Sequence, residues 1–155
     1  MDVARWMMMA PGAPLERHVA PAPALEDGQV LVEVAGCGVC HTDVGFWADG
    51  VPTRGPLPLT LGHEISGFVV QTGRAATSEA LMGRAVIVPA VLPCGGCAAC
   101  AAGEGGICRN QFMPGNDGHG GFASHVVVPT EGLCEVPDCT SATQPLGSSG
   151  VTLRQ

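Results

Sequence analysis

Two sets of side chains in this sequence have the types and spacing to hold a metal ion. Cys94, Cys97, Cys100 and Cys108 are spaced C-x2-C-x2-C-x7-C, which brings four thiolates into one short loop and suits a closed tetrahedral zinc site. Four soft anionic ligands leave no open coordination position, so such a metal orders the loop and does no chemistry. An iron–sulfur cluster fits less well, because the bacterial ferredoxin run closes with a three-residue gap and Pro, whereas here the gap is seven residues and Arg109 follows. The second set is Cys40-His41-Thr42-Asp43 with Gly62-His63-Glu64. It offers a thiolate and an imidazole about twenty residues apart in sequence, each near glycine, with carboxylates adjacent.

Short β-like segments at residues 3–8, 30–35, 65–70, 85–88 and 122–128, each bounded by Gly, Pro or Asp, predict a small, mainly β body to carry these groups. In the run from Val30 to Val34 the valines alternate with Leu31 and Glu33, as in a strand with one buried face. The best helical segment is a turn or two over residues 40–48, with Thr42 or Asp43 as its cap. Residues 93–109 read as an irregular lobe. The domain is expected to end near residue 139, and residues 140–155, small and polar without hydrophobic period, read as a disordered tail. Cys37, Cys134 and Cys139 read as buried free thiols, and Met7-Met8-Met9 as strand core. His18 and His119 are expected in loops and His125 on one face of a strand, all three without a function.

With 155 residues there is room for one domain with a hydrophobic core. All seven basic residues are Arg, against 14 acidic ones, and the net charge of −7 leaves no basic stripe to neutralise phosphates, so nucleic acid is not the expected partner. The apolar run 6–10 is too short for a signal-peptide core, and no apolar stretch approaches the ~20 residues that cross a bilayer. A cytoplasmic protein without a membrane partner is expected. In that reducing compartment eight cysteines serve as ligands or buried thiols in preference to disulfides.

Taken together, Gly38-Val39-Cys40-His41-Thr42-Asp43, the spacing Gly62-His63-Glu64-x2-Gly67-x5-Gly73, the four-cysteine lobe and Gly120-Gly121-Phe122-Ala123-Ser124-His125 resemble the zinc-dependent medium-chain alcohol dehydrogenases over residues 30–137. The resemblance implies a GroES-like catalytic domain, a partly open β-barrel with an irregular zinc lobe. It makes Cys40 and His63 ligands of a catalytic zinc, Glu64 an outer or alternate ligand, and Asp43 a partner that orients His63. Thr42 matches the hydroxyl that accepts the alcohol proton, and His41 the position near the cofactor pyrophosphate. Many relatives carry a relay histidine where this chain has Gly45. Within the family, residues 57–67, 84–91 and 113–117 are most similar to the 6-hydroxycyclohex-1-ene-1-carbonyl-CoA dehydrogenases of anaerobic benzoyl-CoA degradation. That implies NAD as cofactor and a small-molecule secondary alcohol, here a CoA thioester, as substrate; the family is typically homo-oligomeric.

The family's Rossmann α/β domain, with its G-x-G-x-x-G turn, has no counterpart in the 155 residues, and Gly147-Ser148-Ser149-Gly150 does not match it. The chain is therefore expected to be the catalytic part of a truncated or frame-disrupted enzyme, inactive and without NAD when alone, with the third zinc ligand outside it. The contrasting expectation is a stand-alone zinc-binding domain that serves as a structural or interaction module. Exposed apolar surface is expected where a cofactor domain would pack.

Overall fold

The computed structural model describes residues 1–74 and 79–137, together with the backbone of Val151–Thr152. The chain runs through β1 (Asp2–Met8), β2 (Glu16–Pro21), β3 (Gln29–Val39), α1 (His41–Trp47), β4 (Leu59–Thr60), β5 (Glu64–Thr72) and β6 (Ala85–Val88). After these come α2 (Ala98–Ala101), a 3-10 turn at Gly105–Ile107, β7 (His125–Pro129), β8 (Cys134–Glu135) and β9 (Val151–Thr152). Two antiparallel sheets form, one in the order β2-β1-β4 and one in the order β7-β3-β5-β6-β8, with β9 paired to the end of β3. They meet at an isolated bridge between Arg5 and Ala123 and do not close into a full barrel.

β3 is the organising strand. Its Val-rich start suits a pleated, buried surface, and it pairs with β7 through Gln29–Glu33 and with β5 along most of its length. Register breaks between Leu31 and Val32 and between Val34 and Gly36 bend it, as bulges do. Val30, Val32, Ile65, Val69, Val86, Val88, Val126 and Val128 fill the core with Met8, Leu59, Leu61, Leu92, Phe46 and Phe122. Each such side chain contributes on the order of 1.5–3 kcal/mol by leaving water. Past its second irregularity β3 pairs Cys37 with Ile65 and Gly38 with Glu64. In an antiparallel ladder this register brings the residues just beyond each end together, so Cys40 and His63 must be neighbours.

The structure departs from the expectations at several points. β3 continues to Val39, and Leu31 is buried as well as the valines, so both faces of its start are covered. Residues 16–21, which carry no alternating apolar pattern, form an entirely exposed edge strand, and His18 lies in it and not in a loop. Only Met8 of the three methionines is core; Met9 is exposed. Cys134 is exposed on β8 and not buried. The strand expected over 122–128 begins at His125 because Phe122–Ser124 is used otherwise: Trp6 N–H donates to Phe122 O, Ser124 N–H to Ala4 O and Val34 N–H to Ser124 O, stitching the two sheets together. Cys139 and most of the 140–155 tail lie outside the described residues. No helix among the described residues is long and apolar enough to cross a membrane.

Candidate metal centres

Cys40 ends the turn out of β3 and is itself the N-cap of α1, in place of Thr42 or Asp43. Its Sγ accepts the Thr42 N–H at 3.3 Å, while Asp43, three residues on, accepts the Cys40 N–H through Oδ2 at 3.0 Å. This is a capping box built with sulfur. Opposite, His63 Nε2 lies 3.0 Å from Cys40 Sγ. Asp43 reaches across the gap: Oδ1 accepts the Gly62 N–H at 3.0 Å and faces His63 Nδ1 at 3.6 Å. One carboxylate, only 3 % exposed, thus ties the backbone before His63 to the backbone of Cys40. His63 is also buried, and its Nδ1 has no hydrogen-bond partner among the described residues.

Gly62 is required for this arrangement. Its φ is +95°, and a Cβ there would lie 2.6 Å from the Phe122 ring and 2.8 Å from Cys37 Sγ. The strap Gly120–Phe122 explains the closeness: Gly120 N–H donates to Thr60 O, Gly121 N–H to Gly62 O and Phe122 N–H to Leu61 O. Gly120 and Gly121 are thus a brace behind the histidine. Cys37, packed in the same place, is pushed up to about 12, first by burial and then by the Asp43 charge. It stays a protonated thiol and supplies no ligand.

Glu64 completes the group. Its carboxylate, Cys40 Sγ and a His63 nitrogen all lie within 4.8 Å of one another. A Cβ on Gly38 would overlap Glu64 Oε2, so this glycine leaves room for the carboxylate. His41 and Thr42 are both exposed on the first turn of α1, beside Cys40. Gly45, Val44 and Trp47 follow on the same helix, and Val44, Trp47 and the nearby Val51 are exposed. A tetrahedral zinc at ~2.3 Å from sulfur and ~2.0 Å from nitrogen spaces them about 3.6 Å apart, so a small opening of the Cys40–His63 contact admits it.

The four cysteines also converge. Cys97 and Cys100 lie 3.5 Å apart through sulfur, Cys97 and Cys108 3.8 Å, and Cys94 and Cys100 4.0 Å. The edge of a zinc–thiolate tetrahedron is ~3.8 Å, so the set fits. α2 supplies Cys97 as its N-cap and Cys100 within it, and Cys108 follows the 3-10 turn. α2 buries no residue, and Ile107 is 67 % exposed, so the lobe has almost no apolar contacts to order it without a metal. Backbone N–H groups favour the thiolate at two of the four, Cys94 and Cys97. The Cys100 N–H, with the Cys100 side chain, brings Cys97 down to about 6, and the Gly96 N–H and Cys108 lower Cys94. Burial and the neighbouring Cys97 raise Cys100 to about 11.

The supporting loop at residues 113–118 was legible only as a similar stretch, without a role. Asn116 is buried, its Oδ1 accepting the Arg54 N–H at 2.9 Å and its carbonyl the Gly55 N–H at 2.6 Å, while Asp117 pairs with the Arg54 guanidinium at 2.9 Å. The loop packs Gly115 against the Gly62 backbone. The Asn-Asp pair after Pro-Gly is a turn signal, but its partner sixty residues earlier has no local signature.

Fold and site together define a β domain that presents a thiolate–imidazole–carboxylate group at a strand end and carries a separate four-cysteine lobe. The family model described as "Alcohol dehydrogenase GroES-like domain" matches residues 26–138, and the chain belongs to that family, the zinc-dependent medium-chain alcohol dehydrogenases. It is 34 % identical over 140 residues to an alcohol dehydrogenase of Geobacillus stearothermophilus, covering 89 % of this chain and 41 % of that protein. It is 35 % identical over 120 residues to an L-threonine 3-dehydrogenase of Chelativorans sp. (strain BNC1), covering 76 % and 35 %. Among solved structures, the cobalt- and zinc-bound thermostable alcohol dehydrogenase of Pyrobaculum aerophilum superposes with a TM-score of 0.77 at 28 % identity, over 92 % of this chain and 44 % of that one. The chain thus spans about two fifths of the length of these relatives.

Proposed function

We propose that these residues are the catalytic domain of a zinc-dependent alcohol dehydrogenase that oxidises a secondary alcohol with NAD, and that the substrate is 6-hydroxycyclohex-1-ene-1-carbonyl-CoA, oxidised to the 6-oxo compound. The observation that carries the metal reading is the Asp43 clamp, a buried carboxylate that caps α1 at Cys40 and also holds the Gly62 backbone before His63, which fixes Cys40 and His63 against each other. Cys40, His63 and Glu64 would hold the catalytic zinc, and Cys94, Cys97, Cys100 and Cys108 the structural one. Bound at the first site, zinc supplies Lewis acidity to an alcohol oxygen.

The chain's own residues do the rest. Cys40 and His63 fix the position of the reacting oxygen. Thr42, on the exposed first turn of α1, takes the alcohol proton and passes it to water, since Gly45 offers no relay group. His41 faces the cofactor phosphates from the same turn. The substrate assignment rests on the similar stretches at 57–67, 84–91 and 113–117, and the cofactor on the family. The test is NAD reduction with the CoA thioester, L-threonine and 2-propanol as competing substrates. It uses the chain alone and the chain joined to the nicotinamide-binding domain of the Geobacillus relative. Turnover of the thioester by the joined protein, lost in Cys40→Ser, supports the reading; preference for threonine or the simple alcohol refutes the substrate.

A further inference from the structure

Arg5 stands at the seam of the two sheets, bridged to Ala123 and half-buried. Among the described residues it has no carboxylate partner, although Arg54 and Arg84 both do. The nearest acid on the adjoining strand, Glu16, is engaged with His18, the residue directly opposite Arg5. Burial lowers the Arg5 pKa from its ordinary value. A half-buried guanidinium left unpaired in a chain of net charge −7 calls for an anion.

Among the described residues, Arg5 lines a cavity of about 140 Å³ whose other polar residues are His119 and His125, with Phe112 and Val127 among its apolar walls and no carboxylate. Hydrogen bonds set what the two imidazoles offer. His119 Nδ1 accepts the Thr60 N–H at 3.3 Å, so its proton sits on Nε2. Ser124 Oγ accepts the Ala4 N–H at 3.0 Å and lies 3.0 Å from His125 Nδ1. When the hydroxyl donates its own proton to Nδ1, His125 carries its proton on Nε2. Arg5 and His119 thus offer donors, His125 adds a third in the tautomer with its proton on Nε2, and at ~30 Å³ per water the cavity has room for a group of several heavy atoms.

We propose that this cavity binds a phosphoryl group, held by the Arg5 guanidinium and the Nε2–H groups of His119 and His125. Three donors from three elements match an oxyanion with several oxygens better than a single-point anion. The site is separate from the metal centres and does not depend on the substrate named above. The phosphoryl group belongs either to free phosphate or to a phosphomonoester on a larger molecule.

The test is a titration of the zinc-loaded chain, followed through the imidazole signals of His119 and His125 by NMR, with inorganic phosphate, with adenosine 3′,5′-bisphosphate and with sodium chloride at matched ionic strength. Saturable shifts with phosphate or the bisphosphate, absent with chloride, are expected, and the tighter of the two identifies the source. Arg5→Gln should weaken binding at least about tenfold, as loss of a charge-assisted contact does. His119→Asn, which keeps an acceptor for Thr60 but removes the Nε2–H, should weaken it severalfold and carries the test if Arg5→Gln does not fold. No saturable shift with either phosphate, an equal response to chloride, or unchanged affinity in the folded variants overturns the proposal.

Discussion

Replacing Asp43 with Asn changes almost no volume but removes the charge and one acceptor from a carboxylate that serves two backbone donors. Oδ2 takes the Cys40 N–H and Oδ1 the Gly62 N–H, each at 3.0 Å, and Oδ1 also faces His63 Nδ1 at 3.6 Å. An amide can satisfy only one of the two N–H groups; its NH2 must then meet the other, donor against donor. Hydrogen bonds to a charged group are worth about 1.5–3 kcal/mol each, so one lost bond sets a stability loss of about 2–3 kcal/mol. The effect on metal is separable. Loss of the group that orients a ligand typically costs 10–100-fold in affinity, and it should fall on the Cys40–His63 site alone because Asp43 touches nothing in the four-cysteine lobe. Urea unfolding gives the first quantity, and chelator competition on the zinc-loaded chain gives the second. The reasoning is refuted if D43N is destabilised as expected yet both zinc ions are released at wild-type chelator concentrations.

Gly62→Ala should be more damaging, by several kcal/mol, because the φ is positive and Phe122 and Cys37 occupy the Cβ position; a melting temperature within a few degrees of wild type would contradict this. Cys97→Ser should lose one zinc and speed backbone hydrogen exchange across residues 93–109 while the strands stay protected; loss of protection in β3 and β5 would show that the lobe holds the whole fold. Cys37 is held at about 12 against an ordinary thiol near 9. Its neutral form therefore favours the folded state below pH 9, and that contribution disappears as pH rises from 9 toward 12. Alkylation at pH 8 should accordingly mark the exposed Cys134 and spare Cys37, as mass spectrometry of the peptides would reveal.

The residues that could hold metal were the most legible part of the sequence, because ligand chemistry restricts residue type and spacing: both groups that converge in space, Cys94 with Cys97, Cys100 and Cys108, and Cys40 with His63 and Glu64, stand out in the chain. The mainly β class was legible in the runs of valine that form β3, β6 and β7. The edge strand β2 was not, because Glu16–Pro21 is exposed throughout and has no apolar period to read. Cys40 as a cap was missed since sulfur is not among the usual N-cap acceptors; only the thiol's position one residue before the helix settles it. The brace from Gly120–Phe122 to Thr60–Gly62 and the Arg54–Asn116 contact are pairings between segments far apart in the chain, with no local signature. Cys134 looked like an ordinary buried thiol until β8 proved to be a two-residue edge strand.

The account stands on two different zinc sites in one small domain. Zinc content and zinc-edge X-ray absorption on the purified chain test this together. The prediction is two zinc ions per chain with about 2.5 sulfurs per zinc, the mean of four thiolates at one site and one at the other, at ~2.3 Å. The double variant Cys40→Ser with His63→Ala should then hold one zinc with four sulfurs. A wild-type chain that already binds a single zinc with four sulfurs, or that contains iron and sulfide, would contradict it.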